Sequence, residues 1–547
     1  MQIRGALYRK LTAKEELPKT RAGQMLRLMK KNGSLSFYIK PVKGLITIPG
    51  GTSLAEKGMT YPLIAPYAIA RIIFDQKDEQ LTYNVVEPKL SEKETSLLHK
   101  IKEGFIQMID VRMEDIEKKE TLMKFLENNV KKILDSLSVK TSETEYSKIM
   151  YYIYRDYVGL NRIEPLLADP FVEDVGCDGV GIPVYIVHQK LGSMRTSIIY
   201  TDEKELKEFV TKLAERCDRY ISYAEPLLDG SLKDGTRVQA SLTSDVTTRG
   251  PTFSLRKFKE EPFSPPDMVR LNTASSEMMA YLWYVVERGA NILISGGVST
   301  GKTSFLNSIS IFIPPEAKII SIEDTRELSL PHENWIPGVS RMGFTGTGTG
   351  EVTMFELLKE SFRQNPDYLI VGEVRSKEAY VMFQGMSSGH PSMSTMHAGS
   401  VDDLMKRLQT KPISLSPGLL ESLDIVIIMI HARDKGKSSR RVKEIVEIRD
   451  IDKETGAART NKAFTWLPSS DEFEYKGGSW VLTELAKESG TSMNDVIREV
   501  SKRKAIIEWM LRNNITRMEE VAKYIYMYHR DPAKFERILR GDNEPFL

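Results

Sequence analysis

The chain has 547 residues, of which 41% are hydrophobic and 28% charged, and its formal net charge is +2. That composition excludes a mainly disordered chain, and two cysteines exclude a disulfide-stapled scaffold. The longest aliphatic run, residues 425–430, is far shorter than the ~18 apolar residues that span a bilayer, and the N-terminus lacks the apolar core of a secretory signal, so a cytoplasmic location is expected.

A chain of this length predicts about three to five folded units. Residues 1–44 hold eleven Lys/Arg and two acids, a net of +9 that leaves the rest at −7. Such a basic arm predicts an anionic partner (lipid headgroups, nucleic acid or the acidic face of another subunit) unless it is only a solvated tail. An extended stretch is expected over residues 61–86. Leu97, Leu98, Ile101, Phe105, Ile106 and Ile109 recur at helical spacing, so residues 91–139 predict one or two helices, with Ser91 and Glu94 as a capping box. Residues 145–256 alternate short β-type runs with Asp-Gly turns at 178–179, 229–230 and 234–235, the pattern of a compact α+β domain. Residues 259–268 contain three prolines and no apolar periodicity, and read as a linker.

Beyond the linker, strands and helices alternate. Strands are expected at 291–295, 318–322, 368–371 and 425–430, and helices at 302–313 and 352–363. This predicts an α/β fold with a mostly parallel sheet flanked by helices. Residues 485–540 read as mostly short helices. Cys177 and Cys217 have no metal-type spacing and read as ordinary thiols.

Residues 296–303, Gly296-Gly297-Val298-Ser299-Thr300-Gly301-Lys302-Thr303, match the phosphate-loop pattern G-x-x-x-x-G-K-[ST], followed by Ser304, between an expected strand and an expected helix. The glycines let successive N–H groups turn toward phosphate oxygens, and the helix start adds its positive end. Lys302 is expected to reach the β- and γ-phosphates, and the Thr303 hydroxyl to bind Mg²⁺. Binding of a nucleoside triphosphate follows.

Two later strands end in acids: Glu323 and Asp324, followed by Arg326 and Glu327, and then Glu373, followed by Arg375. Strand ends of a doubly wound sheet are where ligands bind. One acid there can hold Mg²⁺ directly or through water, while another orients or deprotonates the attacking water. Residues 389–399 contain His390 and His397, two of seven histidines, in a Gly/Ser-rich setting. They read as part of a polar loop that senses the γ-phosphate or a neighbouring subunit. Metal ligation is the weaker alternative, since no cysteine accompanies them.

In this order, GGVSTGKT, IISIEDTREL, RQNPDYLIVGEVR and SGHPSMSTMHAGS resemble the phosphate loop, Asp box, Walker B-like strand and His box of the secretion and pilus ATPase superfamily. The likeness runs from about residue 61 to 540, and its phrasing is most similar to the archaeal branch, which includes the archaellum motor and archaeal pilus assembly ATPases. The resemblance implies a homo-hexameric ATPase, with ATP and Mg²⁺ as cofactors, that drives a pilus-like filament through a membrane platform protein. Each subunit would have a PAS-like N-terminal lobe and a RecA-like lobe. The implied division is an arm at 1–60, an extended and helical region at 61–144, the PAS-like domain at 145–258, the linker at 259–268, the RecA-like domain at 269–484 and a helical region at 485–547.

The resemblance also implies roles for particular residues. Glu327 is the expected catalytic base, supported by Glu323 and Asp324. Glu373 takes the Mg²⁺ and water role, and His390 and His397 form the His-box pair. Arg237 and Arg256 are expected to supply positive charge to the phosphates, with Arg326 and Arg375 as further candidates. Asp367 begins the Walker B-like strand and Glu373 ends it, so the Mg²⁺ role rests less firmly on Glu373 than on Thr303. The competing readings are a nucleic-acid translocase or conjugation-type ATPase, disfavoured because no nucleic-acid signature is present, and a nucleotide-gated assembly protein. Anionic lipid or the platform protein is the expected partner of residues 1–44.

Overall fold

The computed structural model describes residues 37, 39–41, 58–108, 119–258, 261–341, 350–434, 437–452 and 454–539. Most of the basic arm, expected at 1–60, lies outside them. The chain divides into two compact units, with the boundary between Lys257 and Phe258.

The N-terminal unit is built on a ten-stranded sheet. In chain order its strands are β1 (Lys40–Pro41), β2 (Met59–Ala65), β3 (Ala68–Asp75), β4 (Gln80–Val86), β5 (Val172–Cys177), β6 (Pro183–His188), β7 (Gly192–Ile199), β8 (Leu227–Ser231), β9 (Arg237–Ser241) and β10 (Thr252–Arg256). They lie side by side as β1-β2-β3-β4-β7-β6-β5-β10-β9-β8. The β4–β7 pair is parallel and joins the meander at 59–86 to the strands beyond residue 170. One sheet therefore crosses residue 144, which itself lies inside the helix Glu143–Ile153. Buried Asp169 reinforces the join, accepting hydrogen bonds of 2.6 Å from the Tyr61 and Tyr83 hydroxyls.

The helix Glu203–Arg216, capped by Asp202, lays Leu206, Phe209, Val210 and Leu213 on this sheet. A second core forms where the helices Glu92–Met108, Lys119–Ser136 and Glu143–Ile153 pack together around Ile101, Leu126 and Ile149. The first of these starts at the expected capping box: the Ser91 amide donates to Glu94 Oε2 at 2.6 Å, and the Glu94 amide to Ser91 Oγ at 3.3 Å.

The C-terminal unit opens on the segment that reads as a linker. Residues 259–260 lie outside the described residues, but Pro265–Arg270 is a helix whose first turn is capped by Ser264 and Asp267. Prolines suit this position, because the first helical residues need no N–H donor.

A nine-stranded sheet follows: β11 (Ile292–Gly296), β12 (Ile319–Glu323), β13 (Trp335–Val339), β14 (Tyr368–Val371), β15 (Ser392–Met396), β16 (Ile425–Asp434), β17 (Lys437–Ile451), β18 (Ala458–Leu467) and β19 (Glu472–Tyr475). Its order is β13-β12-β14-β15-β11-β16-β17-β18-β19. From β13 to β16 every pairing is parallel; β17 to β19 then continue antiparallel. This is the α/β arrangement of a RecA-like core, with one strand, β15, inserted between the phosphate-loop strand and the acidic strand β14.

Both faces of the sheet are covered. On β11, Ile292 and Ile294 point into the core shared with the helices Ser276–Glu287, Lys302–Ser310 and Met493–Arg512, while Leu293 points into the core under Met354–Arg363, Glu378–Ser387 and Val401–Gln409. The residues expected as short C-terminal helices include the 20-residue helix Met493–Arg512, and residue 484 lies inside the helix Trp480–Glu488. No described helix is long and apolar enough to cross a membrane.

Trp283 anchors the first of these cores. It is 1% exposed, stacks on Phe312 with ring centroids 5.4 Å apart, and lies under the Arg503 guanidinium. Trp283→Ala should destabilise the C-terminal unit by about 3–5 kcal/mol, read as a drop in its denaturant midpoint. An unchanged midpoint would mean that this core is not the unit's main support.

Candidate active site

Parallel pairing sets where each functional group emerges. Ser295 lies opposite Met396, Gly296 opposite Met429, and Val371 opposite both Ser394 and Ile322. The residues that follow these strand ends therefore share one edge of the sheet: the phosphate loop, Glu323, Glu373 and His397.

The loop leaves β11 at Gly296. A Cβ at that position would lie 2.3 Å from the Met429 carbonyl oxygen, so only glycine lets the loop leave between β15 and β16. Gly297 follows, and its carbonyl accepts from both the Thr300 hydroxyl (3.0 Å) and the Lys302 ammonium (2.9 Å). Val298 is the exposed tip. Ser299 and Gly301 take left-handed backbone angles of φ 59° and 89°. The helix Lys302–Ser310 starts at once, with Gly301 as its N-cap. Thr303 and Ser304 occupy its first turn, half-buried. Their placement leaves the unpaired N–H groups of a helix start beside the loop.

Lys302 links this loop to the acidic strands. Its Nζ is 3.2 Å from His397 Nδ1. On the far side of the ring, His397 Nε2 is 3.1 Å from Glu373 Oε1. Glu373 Oε2 accepts from Arg375 at 2.7 Å. Burial pulls the Lys302 ammonium below the ordinary lysine range, against the charges of Glu373 and Glu327. Burial pushes the Glu373 carboxyl upward, but Arg375, His397 and Lys302 together hold it below its ordinary value.

Glu323 is 2% exposed. Its Oε1 accepts from the backbone N–H groups of Glu327 (2.9 Å) and Leu328 (3.0 Å), while Oε2 is buried without a partner. A Cβ at Gly372 would lie 3.1 Å from Glu323 Cγ, so the glycine makes room for this acid. Burial raises the Glu323 carboxyl to about 7, overriding the two amide donors. Glu327 itself is exposed, held at the edge through its amide. Asn307, on the phosphate-loop helix, accepts from the Ser329 amide at 3.2 Å and ties down the chain just after Glu327.

The remaining expected site residues make other contacts. Residues 392–396, read as part of a polar loop, form the fully buried central strand β15. Its hydroxyls find carbonyl partners: Thr395 donates to the Gly372 carbonyl at 2.7 Å and Ser392 to the His390 carbonyl at 2.9 Å. His390 and His397 therefore emerge at opposite edges of the sheet, separated by roughly 20 Å at the usual rise of a strand. His390 packs against Phe362 and lies 3.2 Å from the Pro366 carbonyl, so it does not join the phosphate loop. Arg326 lies over the Trp335 ring at 5.4 Å. Asp324 accepts from the Ser340 hydroxyl at 2.8 Å. Arg237 and Arg256 belong to the N-terminal unit, where they face each other across β9 and β10 and pair with Asp229 (3.4 Å) and Asp174 (2.8 Å). Among the described residues, no group of three or more His, Cys, Asp and Glu side chains forms a metal cluster.

The sequence reading missed three contributors. Asn307 acts through a partner distant in the chain and carries no motif, while Gly372 stands inside the Walker B-like motif, whose spacing does not show that this glycine makes room for Glu323. Arg440, on the unforeseen strand β17, donates from Nε to the Ser299 carbonyl at 3.1 Å.

Glu323 supplies a test through pH. In the folded state it keeps its proton up to about pH 7, whereas in the unfolded chain it ionises near the ordinary carboxylate value. Between those values the folded state binds the extra proton, so its stabilising effect falls as pH rises through this window. Glu323→Gln removes that titration. The stability of the variant relative to the parent should therefore increase from pH 5 to pH 8, measured by denaturant unfolding. A difference that stays flat with pH would show that Glu323 ionises normally.

Residues 183–520 match the family described as type II/IV secretion system protein. The uncharacterized protein MJ0900 of Methanocaldococcus jannaschii is 34% identical over 535 residues, covering 92% of this chain and 97% of that protein. The type IV secretion system protein PtlH of Bordetella pertussis is 30% identical over 275 residues, covering 44% of this chain and 80% of PtlH. Among solved structures, the Legionella pneumophila ATPase DotB is similar over 72% of this chain and 96% of DotB, with 13% identity and a TM-score of 0.38. The family match spans more than half of the sequence and includes the phosphate loop, both acidic strand ends and His397, so the chain belongs to the type II/IV secretion system protein family.

Proposed function

We propose that the protein is an ATPase that converts hydrolysis of the γ-phosphate into movement within a secretion or pilus-type machine. One observation carries the reading: the phosphate loop, Lys302, Glu373 and the Glu327 segment stand together at the carboxyl edge of one parallel sheet.

In this reading the loop amides and the start of the helix Lys302–Ser310 hold the phosphates. Lys302 leaves the Gly297 carbonyl and His397 to meet them. The oxygen donors of Thr303 and Glu373 suit Mg²⁺, a hard cation that takes its remaining ligands from water and phosphate; when bound, it neutralises charge on the β- and γ-phosphates. Glu327 orients the attacking water and takes its proton, while Glu323 fixes the Glu327 backbone. His397, released by Lys302, remains beside Glu373 and registers whether the site is filled.

The family membership extends the proposal to the assembly. Identical subunits would form a hexameric ring, with Arg237 and Arg256 of the N-terminal unit offering positive charge to a phosphate site. The ring would act on a membrane platform protein of an archaellum- or pilus-like filament, and residues 1–44 would meet that platform or anionic lipid.

Steady-state turnover of Mg-ATP by the full-length chain tests the chemistry. Glu327→Gln should lower turnover by about 10²-fold or more while ATP still binds. Lys302→Ala should lower both turnover and affinity. Wild-type turnover in Glu327→Gln would remove Glu327 from the base role, and failure of the parent protein to bind Mg-ATP at millimolar concentration would end the ATPase reading.

A further inference from the structure

Arg440 reaches the phosphate loop from the side opposite Lys302 and His397. It lies on β17, paired with His431 of β16, and β16 is the strand that adjoins β11. Its Nε–H donates to the Ser299 carbonyl at 3.1 Å. Its Cδ would lie 3.0 Å from a Cβ at Gly301, so that glycine admits the arginine as well as the left-handed turn.

A β-bulge aims this side chain. Glu444 pairs with Ile428 and Val442 with Met429, which leaves Lys443 as an extra residue in β17. In an unbroken strand, residues three apart face opposite sides. Here Val442 and Ile445 both enter the core beneath the phosphate-loop helix. The bulge restores Val442 to that side and, two residues earlier, carries Arg440 with it. The next residue, Arg441, takes the other direction: it is buried and donates to the Asp471 carboxylate at 2.8 and 2.9 Å. Two adjacent arginines are thus divided between the fold and the loop.

We infer that Arg440 is a positioning residue of the phosphate loop, holding the Ser299 carbonyl outward so that the following amide faces the bound phosphate. The inference rests on the nucleotide reading of the site. In a trans peptide the C=O and the next N–H point in opposite directions. With the Ser299 oxygen turned toward Arg440, the Thr300 N–H is turned away from it. Ser299 holds a left-handed φ of 59°, a conformation that a non-glycine residue keeps only when its surroundings impose it. Arg440 supplies that restraint from an exposed position, so its substitution leaves the core intact.

The test compares full-length parent, Arg440→Gln and Arg440→Lys by equilibrium binding of Mg-ATP, by KM and kcat for ATP, and by thermal midpoint. Arg440→Gln should weaken binding and raise KM by about tenfold, the loss of one charge-assisted hydrogen bond. Its kcat should change much less than its KM, and its thermal midpoint should stay near the parent's. Arg440→Lys should recover part of the affinity. The difference between parent and Arg440→Gln should persist at about 0.5 M salt, since screening weakens long-range attraction more than a direct hydrogen bond. Parent-like affinity in Arg440→Gln, or a difference that vanishes at high salt, would overturn the inference. Failure of the parent to bind Mg-ATP would instead overturn the nucleotide reading beneath it.

Discussion

The approach of Gly296 to the Met429 carbonyl is the contact on which the site depends. A side chain at position 296 would meet that oxygen at 2.3 Å. Because glycine is there, β11 can pair with β16 to its last residue and still release the loop upward at the edge. The loop then meets Lys302 and His397 on the β15 side and Arg440 on the β17 side. A backbone restrained on both flanks has little further entropy to lose on binding a ligand, which is the physical meaning of preorganisation.

The same edge buries several polar groups. Lys302, Glu323 and Thr300 are each less than a tenth exposed. Glu323 keeps one oxygen without a partner, a cost that an apolar side chain would avoid. That cost is accepted where two backbone amides, those of Glu327 and Leu328, need a fixed acceptor. The acid thus orients the chain that presents Glu327, and burial makes it a carboxyl that titrates close to neutrality. Lys302, His397, Glu373 and Arg375 follow one another along the edge, each within about 3.2 Å of the next.

The parts of the site legible in the sequence are those made by contiguous residues. The phosphate loop is a local backbone device whose glycines and lysine must be neighbours in the chain. β12 and β14 announce themselves as short apolar runs ending in acids, since strands buried on both faces leave no room for alternation. β15 gave no such signal. Ser392, Ser394 and Thr395 resemble a surface loop until their hydroxyls find carbonyl partners, and Thr395 finds its partner on Gly372, 23 residues earlier. With that strand hidden, His390 and His397 looked like neighbours in function. Five buried residues between them send the two rings to opposite edges.

By itself, then, the sequence determined the α/β class of the second half, the glycine-rich loop between its first strand and helix, and the identity of the acids near it, because each follows from propensity and spacing within about ten residues. Only the tertiary structure decided the strand order, the exclusion of His390, the anchoring of Glu327 by Glu323, and the arrival of Arg440 through a bulge 141 residues beyond Ser299. Those features depend on which strands pair and in what register, and pairing is chosen by the burial of whole faces at once rather than by any short segment.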